Sequence, residues 1–425
     1  MKLSTQEIEH LKLQVLLHTR MEEVVVLLDS NQIKAAAGLS TYEFLAAWGI
    51  SKSSEINQVN VFSSLQSFVD DTEGAWRFGY FTYDLKNQIE RLQSTNRDEL
   101  HWPELFFFVP QHCIAIKNDG TVEHGEQIVS HLLGQKLAWT IDNKQAIHIQ
   151  SRTEKSDYEN NVNEIIQHII DGNVYELNYC FELFAEGAKI DPQRTYHQLK
   201  LNSPTPFATY FKLHGNYLLS ASPERFLAKC DNRLFSQPIK GTIRRGADAN
   251  EDSTLKLNLK NSTKERAENL MIVDLVRNDL ARCALTGTIN VEELFGMYTF
   301  KQVHQLISTV SAIPLSDISF TEIIKRTFPM GSMTGAPKIK AMELIDRYEQ
   351  TKRGLYSGSV GYISPTGQFD FNVVIRSMQY NAMTHYLSMM VGSAITYDSI
   401  ASQEYEECLL KANAMLGVFN SQTAL

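Results

Sequence analysis

The plainest pattern in the chain is the run Trp76–Asp84, WRFGYFTYD, where aromatic and small residues alternate as they do in a buried strand. Val24–Leu28 is apolar but short and predicts a second core strand. Further on, Thr205–Leu213 and Tyr217–Ala221 predict two strands joined at His214-Gly215-Asn216, a hairpin signal. Leu355–Ser364 and Gln368–Tyr380 predict another pair turning at Pro365-Thr366-Gly367, and His385–Thr396 a strand after them. One helix is predicted from Ser262 past Asn278, with capping-box spacing between Ser262 and Glu265. Another runs from about Ser402 to Leu416 and stops at Gly417. A third leads through Tyr348 from a loop ending at Pro337, which suits the first helical position. Strands and helices intermix without a regular βαβ repeat, so the fold class is α+β. A polar stretch near Thr140–Lys155 marks a subdomain boundary, dividing an N-terminal part, 1–150, from a catalytic region, 151–425.

Composition narrows the class. A chain of 425 residues with 43% hydrophobic content can bury a substantial core. Its net charge of −9 argues against a nucleic-acid partner, though a local site for an anion remains compatible with it. Five scattered cysteines, without a CxxC pair, suggest neither a disulfide framework nor a zinc site. The start MKLSTQEIEH carries no signal-peptide pattern, and no apolar run is long enough to span a bilayer, so a cytoplasmic protein is expected.

Several polar residues are candidates for chemistry. Glu265 and Glu268 share one helix face, and Glu404 and Glu407 another, with Lys411 four beyond. Two such faces can hold a hard divalent ion such as Mg²⁺ between them, although the same spacing is common on solvated helices. Lys240, beside Pro238 and Ile239, is either a surface lysine or a desolvated nucleophile. Glu224, in Ser222-Pro-Glu-Arg225, is either a general acid or a partner of Arg225. Arg376 ends the apolar run FNVVIR, either reaching the surface or binding a carboxylate. The loop Phe328–Pro337, with two glycines and two hydroxyls before a helix, is a ready place for an anion.

These pieces resemble the chorismate-utilising enzyme family. The resemblance rests on PIKGT (Pro238–Thr242), KERAENLMIVDLVRNDLAR (Lys264–Arg282), FPMGSMTGAPKIKAMELID (Phe328–Asp346), YSGSVGY (Tyr356–Tyr362), the strand ending at Arg376, and EYEECLLKA (Glu404–Ala412). It covers most of Leu201–Leu416 and implies two large antiparallel sheets packed face to face, with helices outside and the site between the layers. The family includes anthranilate, aminodeoxychorismate, isochorismate and salicylate synthases, and three positions separate them. Lys240 stands where anthranilate synthases have Ala. Gln305, preceded by His304, stands where they carry a proton-transferring His. Glu176 stands where water-adding members have Lys and the others usually Gln; it matches neither.

The branch so implied is aminodeoxychorismate synthase component I, with anthranilate synthase component I as the alternative. The resemblance implies Mg²⁺ between Glu268 and Glu407, with Glu265 and Glu404 acting through water on the ring carboxylate of chorismate. Arg376 and Tyr356 take the carboxylate of the enolpyruvyl arm. Backbone groups of Gly241, Thr242, Gly392, Ser393 and Ala394 add contacts, and Lys411 adds charge. Lys240 attacks C2 of the ring, Glu224 protonates the C4 hydroxyl, and ammonia displaces the lysine. The product, 4-amino-4-deoxychorismate, leads to 4-aminobenzoate and folate. No cysteine sits in a Gly-rich nucleophile turn, so ammonia is expected from a separate glutamine amidotransferase partner.

Overall fold

The computed structural model describes residues 1–424 apart from 35, 37, 38, 40, 55–59 and 136–145. Its strands form one hydrogen-bonded network that bends into two arms. The first arm runs, in spatial order, through Asn290–Thr299, Val303–Ala312, Arg233–Gln237, Arg225–Cys230, Phe369–Asn372, Ser359–Ile363, Arg77–Phe81 and Leu105–Lys117. Ile239–Arg244 also pairs with Val303–Ala312. The second arm runs through Tyr42–Ser53, Val24–Asp29, Phe207–Leu213, Asn216–Ser222, Ser377–Asn381, Tyr386–Ile395, Glu176–Ala185 and Ala146–Ser151. These pairings are antiparallel; Asn420–Ala424 alone among the described strands pairs in parallel, with Ala146–Ser151. The arms join where Tyr42–Ser53 meets Leu105–Lys117, and a register shift between Ile50 and Lys52 marks the corner.

Side chains from both arms meet in one apolar layer: Val26, Leu45, Phe211 and Leu218 from one, Phe78, Tyr80, Val360 and Tyr362 from the other. The outer face of the second arm packs against helices through Leu11, Val15, Ile165, Leu344 and Ala412. That of the first packs through Leu65, Ile272, Val276 and Ile323. This is the face-to-face arrangement with helices outside. Strands before residue 150 pair with strands after it, as in Val24–Asp29 with Phe207–Leu213 and Arg77–Phe81 with Ser359–Ile363. Part of the expected boundary, 140–145, lies outside the described residues.

Local expectations and structure differ at instructive places. Gln368–Tyr380 is two strands, not one: Phe369–Asn372 belongs to the first arm and Ser377–Asn381 to the second. Arg376 therefore does not end the run FNVVIR as a strand; it sits in the crossover with φ of 50°. The backbone leaves one sheet for the other there, which a continuous apolar run conceals. Leu355–Gly358 is a turn, and its strand begins only at Ser359. Gly417 follows the helix Ala401–Leu416 with φ of −65°, so it ends that helix without a left-handed residue. Ser262 caps the helix Thr263–Ala281, its Oγ accepting from the Glu265 N–H at 3.3 Å.

Candidate active site

A cleft of about 920 Å³ opens between the first arm, the strands Glu176–Ala185 and Tyr386–Ile395, and the helices Thr263–Ala281 and Ala401–Leu416. It is lined by Glu224, Lys240, Gly241, Thr242, Glu265, Glu268, Tyr356, Arg376, Gly392, Ala394, Glu404, Glu407 and Lys411. Each reaches it for a local reason. The Ser262 cap sets the phase of its helix, so that Asn269 is buried and bonds the Lys240 carbonyl at 3.0 Å while Glu265 and Glu268, on the adjoining stripe, face the cleft. Gly241 has φ of 95°, and a Cβ there would meet Leu306 and the Glu265 carboxylate at 3.1 and 3.2 Å. Gly392 lets its strand lie against Cys180, where a Cβ would come within 2.3 Å of the sulfur. Strand alternation turns the neighbouring Ser393 away: its hydroxyl bonds Tyr158 at 3.0 Å on the far face, so its side chain does not belong to the cleft.

Lys240 is buried and its Nζ lies 2.5 Å from Glu176 Oε1. Glu224 is also buried. Burial pushes its carboxyl up to about 7, against a hydroxyl of Ser332, the Ile239 N–H, Lys240 and Arg376. Such a group is protonated near neutrality and suited to give a proton away. Burial pulls the Arg376 guanidinium down to about 10, with Glu224 opposing, and leaves it charged. Its side chain makes no hydrogen bond or ion pair among the described residues, so its donors remain open to a ligand in the cleft. Tyr356 is buried, with its hydroxyl 3.8 Å from Cys180 Sγ.

The acidic residues fit an oxygen-liganded cation. Burial raises Glu268 to about 7, Lys240 opposing and Glu265 adding repulsion. Burial raises Glu265 too, with Glu407 repelling it. Lys264, 3.9 Å from Glu268, and Lys240 only partly offset that burial, and a divalent ion would add to them. Lys411 holds Glu407 below the usual range through an ion pair at 2.8 Å, and also donates to the Gly392 carbonyl at 2.9 Å. Glu404 is buried and accepts from Ser399 at 2.8 Å. Among the described residues no three His, Cys, Asp or Glu side chains converge enough to cage an ion alone. Mg²⁺ does not require that, since it keeps waters and shares substrate oxygens.

At the discriminating strand, Gln305 faces the cleft and His304 does not. His304 is buried, its ring nitrogens 2.9 Å from Thr299 Oγ1 and 3.0 Å from Asp252 Oδ1. The loop Phe328–Pro337 is partly paired to a strand. Gly335 and Ala336 pair with Leu177 and Glu176, and the Asn178 N–H bonds the Thr334 carbonyl at 2.7 Å. The loop thus buttresses a strand and contributes the Ser332 hydroxyl beside Glu224. Pro337 is the N-cap of the helix Lys338–Tyr348, one place before the expected first turn.

Two contributors escaped sequence reasoning. One is the Lys240–Glu176 pair, whose members are 64 residues apart. The other is the buried pair Arg353–Glu349, whose guanidinium bonds the carbonyls of Asn178 and Met333 at 2.9 and 2.8 Å and the Ser357 hydroxyl at 2.9 Å. It ties together the Glu176 strand, the Ser332 loop and the Tyr356 turn. Its only sequence signal was an i,i+4 spacing, indistinguishable from a surface pair.

The profile of the chorismate binding enzyme family matches residues 22–417. The chain belongs to that family. It is 33% identical over 349 residues to aminodeoxychorismate synthase component 1 of Escherichia coli, covering 80% of this chain and 75% of that one. It is 36% identical over 365 residues to the chloroplastic aminodeoxychorismate synthase of Arabidopsis thaliana, but spans only 39% of that longer protein. Anthranilate synthase component 1 of Saccharolobus solfataricus is 33% identical over 340 residues, 79% of each chain. The fold matches the crystal structure of anthranilate synthase component I from Streptococcus pneumoniae with a TM-score of 0.73 at 23% identity, covering 93% of this chain and 90% of that one. Among the described residues no helix is long and apolar enough to cross a membrane.

Proposed function

We propose that this family member is the chorismate-binding component of an aminodeoxychorismate synthase. The observation that carries the reading is the cleft's reactive set: a buried lysine, Lys240, with the raised carboxyl of Glu224 near it and Gln305, not a histidine, on the adjacent paired strand. The relatives named for that activity support it.

Chorismate is a dianion. Arg376, with its donors open, binds the enolpyruvyl carboxylate, helped by Tyr356 and Lys411. Glu268 and Glu407, with Glu265 and Glu404 through water, would hold Mg²⁺, which when bound would supply charge to the ring carboxylate. The Lys240 amine bonds to C2 while the C4–O bond breaks and Glu224 gives its proton to the departing hydroxyl, which leaves as water. Ammonia then bonds to C4 and the C2–N bond breaks. The enolpyruvyl arm survives, and the product is 4-amino-4-deoxychorismate, a precursor of 4-aminobenzoate and folate. A glutamine amidotransferase subunit supplies the ammonia.

The second reading is anthranilate synthase component I, favoured by the Saccharolobus relative of equal identity to the Escherichia coli one. That reaction eliminates pyruvate and calls for a proton-transfer group at the ring. Gln305 cannot serve, and His304 is committed elsewhere. The deciding test is product analysis with chorismate, Mg²⁺ and ammonium. A product that yields 4-aminobenzoate only after a lyase is added supports the proposal; anthranilate with stoichiometric pyruvate overturns it. Turnover on glutamine alone by the isolated chain would overturn the need for a partner.

A further inference from the structure

We infer that Glu176 is a catalytic residue of this cleft, the proton acceptor that turns Lys240 from an ammonium into a nucleophilic amine. The inference rests on the proposed amination. Glu176 Oε1 lies 2.5 Å from Lys240 Nζ, while its other oxygen, Oε2, is buried with no hydrogen-bond partner. The buried carboxylate of Asp29, by contrast, closes both oxygens, with Lys12 at 2.7 Å and Lys200 at 2.6 Å. Lys240 lines the cleft and Glu176 does not, so the carboxylate stands behind the nucleophile, clear of the ring carbon it must reach. Its backbone is held in place: the Tyr175 N–H bonds the Ala336 carbonyl at 2.7 Å, and a Cβ on Gly335 would fall 2.1 Å from the Glu176 carbonyl oxygen.

Other charged groups face Lys240 from the packed elements: Glu224 from the corner after Asn216–Ser222, Glu265 and Glu268 from one helix and Glu407 from the other. None makes a hydrogen bond or ion pair with it among the described residues. Glu224 is needed as an acid, and a carboxylate cannot give and take the same proton in one step.

The protons balance. Glu176 takes one from the Lys240 ammonium. The amine bonds to C2, the C4–O bond breaks, and the hydroxyl leaves as water with the proton of Glu224. Ammonia bonds to C4 and the C2–N bond breaks, releasing neutral Lys240, which recovers its proton from Glu176. The new ammonium on C4 returns one to Glu224. The sum is chorismate plus ammonia to aminodeoxychorismate plus water.

The experiment compares wild type, E176Q and E176D in ammonia-driven turnover at constant free ammonia, from about pH 7 to about pH 9. E176Q keeps the shape and a hydrogen bond but not the base. Its kcat should fall about 100-fold near pH 7 with the KM for chorismate within about twofold. The ratio of wild-type to E176Q kcat should narrow about tenfold or more toward pH 9, as solvent takes over the deprotonation. E176D should recover part of the rate. Wild-type kcat in E176Q, or a ratio constant with pH, would overturn the inference. If E176Q fails to fold, the same pH-dependent ratio is read on E176D, where constancy overturns it equally. The two hypotheses fail differently: an inactive K240A beside a normal E176Q sinks only the role of Glu176, whereas a wild type that makes no C4-aminated product sinks the function.

Discussion

Two clusters of buried charge in this chain are built from the same residue types and behave in opposite ways. In the first, Lys12 bonds Asp29 at 2.7 Å, Glu43 at 2.6 Å and Glu9 at 2.8 Å, and Lys200 bonds Asp29 at 2.6 Å. Burial works against the Asp29 charge, yet the two lysines override it and hold that carboxyl down at about 2. Every charge there has an opposite within reach. In the cleft the sum does not close: Glu265, Glu268 and Glu224 are pushed up, Arg376 has open donors, and one Glu176 oxygen has no partner. Closed clusters stabilise a fold; open ones wait for a ligand.

That contrast is tested by substitutions in both clusters. The largest effect is expected for K240A, an amination rate lower by on the order of 1,000-fold. Equilibrium titration with chorismate and Mg²⁺ should show binding retained, whereas normal turnover would remove the lysine from the chemistry. K12A, in the closed cluster, should cost about 3–5 kcal/mol in denaturant unfolding because Asp29 and Glu43 lose a buried partner. Its kcat at low temperature should stay near wild type, and a selective loss of kcat would blur the comparison.

Glu224 gives a signed pH effect. The native state holds its proton up to about 7, while the unfolded carboxyl releases it near its ordinary value of 4.5. Between those values the native state binds more protons, so stability falls as pH rises and levels off above about 7, by about 3 kcal/mol in all. Substrate-free E224Q should lack that share of the slope in parallel melts; an unchanged slope would place the raised carboxyl elsewhere. R376A should raise the KM for chorismate about 30-fold, about 2 kcal/mol, with a smaller change in kcat. Last, H304A should cost about 1 kcal/mol of stability through its lost bonds to Thr299 and Asp252 and leave the product unchanged. A shift of product toward pyruvate release would show that the face of this strand was misassigned.

The residues in long motifs were legible because their neighbours in sequence are also their neighbours in space. Ser262 predicts the helix on which Glu265 and Glu268 stand, and the glycine at 417 predicts the end of the one that carries Glu404 and Glu407. The same reading missed the break at Arg376, since an apolar run reads alike whether it stays in one sheet or crosses to another. Nor does it reveal that Gly335 and Ala336 pair with Leu177 and Glu176, since those partners lie far away in sequence.

Sequence by itself settled the α+β class, the family resemblance and the identity of the polar residues, all of which depend on local periodicity and motif order. The tertiary structure decided which of them face one another. Alternation puts Gln305 in the cleft and His304 outside it, and turns Ser393 away from Gly392 and Ala394. Lys240 acquires its partner from 64 residues away, and Glu224 its raised carboxyl from burial. Charge, burial and proton affinity are set by distances through space, and the chain order does not contain those distances until it folds.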